Sequence, residues 1–162
     1  MTRTSLALIG LSFLVGALTV GAGPASAASD LLQDRVDAVI SEFGGTQTAS
    51  NEVSWEGGAV VLTIEDGIAP RAADGIALGA IGNCAAGAFC AYSGFGYSGN
   101  KLTFTACTSG NSVAALGTVR SIANARTSGI VRAYDGSTLV ATLSPGTGRS
   151  SVPVGIDKLN CS

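Results

Sequence analysis

Residues 84–99 read Cys-Ala-Ala-Gly-Ala-Phe-Cys-Ala-Tyr-Ser-Gly-Phe-Gly-Tyr-Ser-Gly. The segment from Phe89 to Tyr92 alternates as a β-strand does, because side chains on a strand point to opposite faces with a period of two. The glycines and serines at 93–99 cannot continue that strand and mark a long turn. Two aromatic residues in the turn, Phe95 and Tyr97, indicate that it folds back on the sheet. We therefore predict a strand followed by an ordered loop.

The composition favours short strands and tight turns over long charged helices. The chain has 162 residues, of which 23 are Gly and only 12% are charged. This length fits one domain with an appendage. The sequence contains no histidine, which excludes Ser-His-Asp and Cys-His nucleophile systems in their usual form, and also histidine-containing zinc sites. No glycine-rich phosphate loop follows a predicted strand and opens a helix, so we expect no nucleotide cofactor.

Residues 1–27 have the pattern of a secretory signal peptide. Arg3 supplies the positive start, Leu6 to Val20 form an apolar core, and Pro24-Ala25-Ser26-Ala27 supply the small residues of a cleavage site. A membrane-spanning helix is disfavoured because the run is short, rich in Gly and Ala, and not followed by a positive cluster. We expect a secreted, extracellular protein with no membrane contact after removal of this leader.

Residues 28–64 predict a helix and a hairpin, which we call the N-terminal arm. Its helix is predicted at 29–43 from apolar residues at helical spacing, and the Gly44-Gly45 pair ends it. The hairpin is predicted at 52–64, with its turn at Gly57-Gly58 and with Trp55 as a core anchor. Residues 65–82 are rich in Gly, Ala and Pro and are predicted to be a linker.

The charges divide at this linker. Residues 28–75 contain nine acidic residues against two arginines, a net charge of −7, whereas residues 76–162 contain six basic and two acidic residues, a net charge of +4. This division predicts that the acidic arm docks on a basic β domain, although two unrelated solvated faces would give the same pattern. A further hypothesis is that residues 28–75 are a removable pro-segment that masks the basic domain.

The C-terminal half contains a weak internal repeat. Residues 89–94 and 131–136 have the same pattern at a shift of 42, each a strand that ends in Tyr followed by a turn. We predict further strands at 101–106, 118–122, 130–134, 138–143 and 157–161. The region around Pro145-Gly146 and Gly148 is predicted to be a turn.

The segment 83–161 resembles a family of small secreted bacterial peptidase inhibitors whose founding members block thermolysin-like metalloproteinases. The resemblance rests on a frame of cysteine, glycine and small polar residues with one tyrosine, followed by Ser121-Ile122-Ala123-Asn124. The frame comprises Cys84, Gly87, Cys90, Tyr92, Ser93, Gly94, Ser98 and Gly99. The resemblance implies a mostly β chain, with a βγ-crystallin-like double Greek-key sandwich at 83–162 preceded by the helix and hairpin of the N-terminal arm.

Four cysteines allow three pairings, and an even number in a secreted chain indicates disulfide bonds. We expect Cys84–Cys90 and Cys107–Cys161. The latter closes a loop of more than fifty residues.

The crystallin-like fold also raises the question of calcium. Of the two stretches that correspond to its calcium sites, 116–121 lacks acidic residues and contains Arg120, whereas 156–161 keeps Asp157 and Asn160. These two are weak metal candidates, and we predict no metal. The alternative role of Asp157 is to accept hydrogen bonds from backbone amides.

The resemblance implies a protein that is not an enzyme and uses no cofactor, and that inhibits a secreted protease through an exposed loop, with the metalloproteinases as the candidate class of target. The alternative is a non-inhibitory extracellular structural or interaction module. Relatives close their reactive loop with a second short-range cysteine pair that this chain lacks, so the reactive bond cannot be transferred. Candidate loops are 93–100, 107–115 and 143–152, with Phe95, Tyr97 and Arg149 as candidate contact residues. We expect a monomer. We also expect no nucleic-acid binding, because the basic residues are scattered.

Overall fold

The computed structural model describes residues 24–65, 81–153 and 155–162. The predicted signal peptide lies mostly outside the described residues, as does most of the predicted linker. Among the described residues, no helix is long and apolar enough to cross a membrane.

The N-terminal arm contains one helix and three strands. Its elements are α1 (Pro24–Phe43), β1 (Thr46–Ala49), β2 (Glu52–Trp55) and β3 (Val60–Thr63). The helix begins earlier than predicted but ends at the predicted place, where Gly44 adopts a φ of 69° and its amide donates to the carbonyl of Ile40 at 2.9 Å. The predicted hairpin is confirmed as β2 and β3. The sequence reading missed β1.

The described residues from 81 onward form eight short strands. They are β4 (Phe89–Tyr92), β5 (Lys101–Phe104), β6 (Asn111–Ser112), β7 (Ser121–Asn124), β8 (Val131–Asp135), β9 (Thr138–Leu143), β10 (Thr147–Arg149) and β11 (Lys158–Cys161). Two predictions are corrected. The strand predicted at 118–122 begins at Ser121, and Gly148, predicted to lie in a turn, lies within β10 because it pairs with Ala123 of β7.

The strands form two antiparallel sheets, so the prediction of a mostly β chain is confirmed. The larger sheet has the order β1-β2-β3-β5-β4-β7-β10, and the smaller one has the order β6-β11-β8-β9. From β4 onward the chain forms two four-strand motifs. In each motif the fourth strand lies beside the first, as in a Greek key, while the third strand joins the opposite sheet. The repeated segments 89–92 and 131–134 are the first strands of these motifs. The likeness to βγ-crystallins stays a prediction.

One apolar core joins the arm to both sheets. Val36 of α1 belongs to the same buried cluster as Leu62 of β3, Phe89 of β4 and Leu159 of β11. Phe89 also stacks on Phe104 with ring centroids 4.9 Å apart. Full burial of each such side chain contributes about 1.5–3 kcal/mol. Packing of this core is therefore a main contribution to the stability of the fold.

The arm is attached through a backbone ladder. Strand β3 pairs with β5 over four residues, from Val60 opposite Phe104 to Thr63 opposite Lys101. The predicted contact between the arm and the β domain thus exists, and backbone hydrogen bonds and apolar packing make it. Charge also acts across this contact, because Glu52 counteracts the lowering of the Lys101 pKa that burial causes.

Both expected disulfides are confirmed. Cys84–Cys90 spans 6 residues, and Cys107–Cys161 spans 54. The short bond lies in a second buried cluster on the outer face of the larger sheet, with Tyr92 and Ala123. It fixes the segment 84–88 against β4, next to the loop that follows this strand.

Candidate functional site

The loop 93–100 between β4 and β5 is closed at its base by hydrogen bonds. The amide of Ser93 donates to the carbonyl of Asn100 at 2.9 Å, and the amide of Asn100 donates to Ser93 Oγ at 2.8 Å. One step inward, the amide of Gly94 donates to the carbonyl of Ser98 at 2.9 Å. The loop is therefore an ordered turn, as the sequence predicts.

Strand β7 and the residue after β10 hold the middle of the loop. The buried Ser121 accepts a hydrogen bond from the Tyr97 amide at 3.0 Å and donates one to the Gly94 carbonyl at 2.7 Å. The amide of Gly96 donates to the carbonyl of Ser150 at 2.8 Å. Two candidate loops, 93–100 and 143–152, are thus brought together.

Tyr97 points back toward the body of the domain. Its ring meets that of Tyr92 edge-on, with centroids 5.6 Å apart. A Cβ atom at Gly148 would lie 2.7 Å from the Tyr97 hydroxyl, so β10 can approach this ring only because Gly148 has no side chain. Tyr97 therefore supports the loop from within, although the sequence made it a candidate contact residue.

The Tyr92 hydroxyl lies in the buried outer cluster. Burial raises the Tyr92 pKa well above its usual range, and Tyr97 adds a smaller effect in the same direction. Among the described residues this hydroxyl has no hydrogen-bond partner. It is therefore neutral at physiological pH and serves packing.

Phe95 is the apolar side chain that the loop presents to solvent. It is 57% exposed, although it stands in a loop whose backbone is fixed on both sides. The guanidinium carbon of Arg120 lies 5.3 Å from the centroid of its ring, within the range of a cation–π contact. Arg120 thus supports one face of the ring and leaves the other parts of the side chain accessible.

Arg149 lies on the edge strand beside this loop. It pairs with Ile122 of β7, its side chain is exposed, and it directly precedes the Ser150 whose carbonyl binds the loop. The structure therefore places Arg149 on an element that contacts the Phe95 loop. Of the three predicted contact residues, Phe95 and Arg149 are exposed, whereas Tyr97 is half-buried.

The third candidate loop, 107–115, is held elsewhere, against β11. Asn111 donates to the carbonyls of Thr108 at 2.7 Å and Leu159 at 3.0 Å, and the Gly110 amide donates to Asn160 Oδ1 at 2.6 Å. With Phe43 and Trp55 of the arm, this loop lines a separate cleft of about 460 Å³. It makes no part of the Phe95 site.

The weak metal candidates have other roles. Asp157 Oδ2 accepts a hydrogen bond from the Gly136 amide at 3.0 Å, as in the alternative reading, and Asn160 Oδ1 is bonded to Gly110. Within the described ranges, no group of three His, Cys, Asp or Glu residues is arranged to hold a metal ion.

Residues 77–143 match the model of peptidase inhibitor family I36. The resemblance to a peptidase inhibitor family is confirmed. No curated protein and no solved structure matches the chain. The I36 segment includes the Cys84–Cys90 bond, the Phe95 loop and Ser121, whereas the N-terminal arm and β10 lie outside it. The match to an inhibitor family, which covers less than half of the chain, points to a protein that is not an enzyme.

Sequence reasoning missed the residues that hold the loop. Ser121 and Asn100 are common polar residues, and no distinctive sequence motif indicates that they hold the loop. Arg120 drew attention only as a basic residue in a stretch that corresponds to a calcium site. Ser150 acts through its backbone carbonyl, so its side chain carries no signal. The match of Ser121-Ile122-Ala123-Asn124 to the family was the one available indication that Ser121 matters.

Proposed function

We propose that this protein is a secreted peptidase inhibitor that inserts the loop 93–100 into the active-site cleft of its target, with Phe95 as the main anchor. The observation that carries the proposal is an exposed aromatic side chain on a loop whose base and middle are hydrogen-bonded to two strands. Aromatic residues are enriched among the residues that dominate binding energy at protein interfaces.

Rigidity of this loop is what an inhibitor requires. A flexible loop would lose conformational entropy on binding, whereas a loop already fixed in its bound shape loses little. The bonds from Ser121 to Gly94 and Tyr97, and from Gly96 to Ser150, fix the backbone on both sides of Phe95. The same bonds hold the two halves of the loop together and so oppose its cleavage.

The chemistry of the exposed residues bears on the class of target. Phe95 suits a peptidase with an apolar specificity pocket, and the family resemblance supports a metalloproteinase of that kind. Arg149, on the neighbouring strand, would suit the acidic pocket of a trypsin-like peptidase. We favour the metalloproteinase because Phe95 stands on the braced loop, whereas Arg149 lies on an edge strand.

The covalent structure supports an extracellular location. Two disulfides persist in oxidising surroundings and are rare in reducing ones. Together with the leader pattern at residues 1–27, they support export and an extracellular target. The protein would act as a monomer.

The test is a tight-binding titration of purified peptidases with the disulfide-bonded protein. The panel contains a thermolysin-like, a subtilisin-like and a trypsin-like enzyme. We expect loss of activity at a one-to-one ratio with the thermolysin-like enzyme. Loss of activity of the trypsin-like enzyme alone would indicate that Arg149, and not Phe95, makes the main contact. No inhibition of any member by the correctly folded protein would reject the inhibitor and favour the non-inhibitory extracellular module.

A further inference from the structure

Asn100 connects the N-terminal arm to the base of the Phe95 loop. Its side-chain oxygen accepts two hydrogen bonds, one from Arg35 of helix α1 at 3.0 Å and one from the backbone amide of Glu65 at 3.0 Å. Its backbone amide and carbonyl both bond to Ser93, which closes the loop. One residue therefore contacts the helix, the end of the hairpin and the loop.

The arm is well placed to hold Asn100 still. Arg35 also donates to the carbonyl of Glu65 at 2.6 Å, so the helix and the chain after β3 are tied to each other as well as to Asn100. One residue further along α1, Val36 is fully buried in the common core. The two donors that face Asn100 are thus fixed by packing and by the pairing of β3 with β5.

We propose that the arm is a permanent brace of the inhibitory loop and that Asn100 is the positioning residue that transmits this support. The inference rests on the proposed function, since it states how the same loop is kept in its binding shape. It opposes the hypothesis of a removable pro-segment: without residues 28–65, Asn100 loses both side-chain partners, and β5 loses β3, one of its two neighbouring strands.

A loop without this brace would bind less well and be cut more readily. The two bonds that are lost are those that the Asn100 side chain accepts from Arg35 and Glu65. Their loss lets the segment 93–100 sample open conformations, because each bond contributes to the closed form. An open loop can adopt the extended shape that a peptidase cleaves. The inhibitor would then become a slow substrate, with inhibition that fades as the loop is cut.

The experiment compares three variants of the whole protein. Asn100→Leu removes the side-chain acceptor and leaves the backbone bonds to Ser93 in place. Asn100→Asp keeps the acceptor and serves as the rescue. Asn111→Leu is the matched control, because Asn111 makes a similar number of side-chain hydrogen bonds in the unrelated loop 107–115. Amide hydrogen exchange reports the loop, and mass spectrometry after incubation with the inhibited peptidase locates any cut.

We expect Asn100→Leu to speed exchange of the Gly94, Gly96 and Tyr97 amides about tenfold, from the loss of two hydrogen bonds. We also expect inhibition that decays as cuts appear within 93–100, while Asn100→Asp and Asn111→Leu behave as the native protein. Unchanged exchange in Asn100→Leu, or equal loosening in Asn111→Leu, would overturn the brace. If the native protein inhibits nothing, the proposed function fails and the inhibitory role of the brace fails with it, whereas the exchange data still show whether Asn100 holds the loop.

Discussion

The hydroxyl of Ser121 donates a hydrogen bond to the carbonyl of Gly94 at 2.7 Å. Ser121 is fully buried at the start of β7, and Gly94 is the first glycine of the loop that presents Phe95. A strand that is paired on both sides, with β4 and with the edge strand β10, therefore sets the path of an exposed loop. This arrangement combines a fixed backbone with an accessible aromatic side chain, which is the combination that the proposed inhibitor needs.

Replacing Ser121 by Ala should loosen the loop. The change leaves the Tyr97 amide and the Gly94 carbonyl without their partner, and an unsatisfied buried group costs about 1–3 kcal/mol. Chemical denaturation should show a loss of unfolding free energy in this range. Ser150→Ala is the control, because Ser150 bonds the loop through its backbone carbonyl. Equal stability of the two variants would contradict the role of the Ser121 hydroxyl.

Replacing Phe95 by Ala should weaken inhibition and leave the fold intact. Removing an anchor at the centre of an interface costs about 2 kcal/mol or more, which corresponds to roughly thirtyfold in the inhibition constant. The unfolding midpoint should change little because the ring is exposed. Leu139→Ala, at a side chain that is 51% exposed on β9, is the matched control. Similar inhibition constants for the two variants would place the contact away from Phe95.

The two disulfides should differ in their contribution to stability. Closing the 54-residue separation of Cys107–Cys161 is expected to stabilise the fold by about 4 kcal/mol, and the 6-residue separation of Cys84–Cys90 by about 2 kcal/mol, from unfolded-state entropy alone. Paired Cys→Ala variants measured by denaturation test this order. A larger loss for Cys84–Cys90 would mean that local packing near β4 outweighs chain entropy.

Lys101 should make stability depend on alkaline pH. Burial lowers its pKa, and Glu52 opposes this effect. Between the lowered pKa and the ordinary value near ~10.4, the unfolded chain binds more protons than the folded one, so stability should rise with pH in that window. The measurement is the unfolding free energy of the native protein minus that of Lys101→Met as a function of pH. The other titrating groups are unchanged in this variant. A pH profile of the difference that stays flat, or falls, would contradict the lowered pKa.

The sequence was informative where local pattern and structure agree. Alternation located β4, glycine marked the hairpin turn, and the cysteines gave both disulfides. It failed at β10, where Thr147–Arg149 lies beside Pro145-Gly146 and resembles a turn, because the pairing with β7 is a tertiary effect. It also separated the charged arm from the β domain, whereas β3 and β5 lie side by side in one sheet.

The residues that hold the loop 93–100 in place were harder to predict than Phe95, which the loop presents to solvent. An aromatic residue in a glycine-rich loop is conspicuous, so Phe95 could be identified as a candidate. Asn100 depends on partners 65 residues away at Arg35 and 35 residues away at Glu65, and no local pattern reports such contacts. Tyr97 was ambiguous for the same reason, since only the packing against Tyr92 shows which way its ring points.

An amide-exchange footprint of the one-to-one complex with the inhibited peptidase would show whether the loop 93–100 enters the active-site cleft. We expect protection concentrated at residues 94–98 and extending to Arg149 of β10 and to Ser150, which follows this strand. Protection centred on the loop 107–115, with the Phe95 loop exchanging as in the free protein, would show that a different surface enters the cleft and would contradict the central claim.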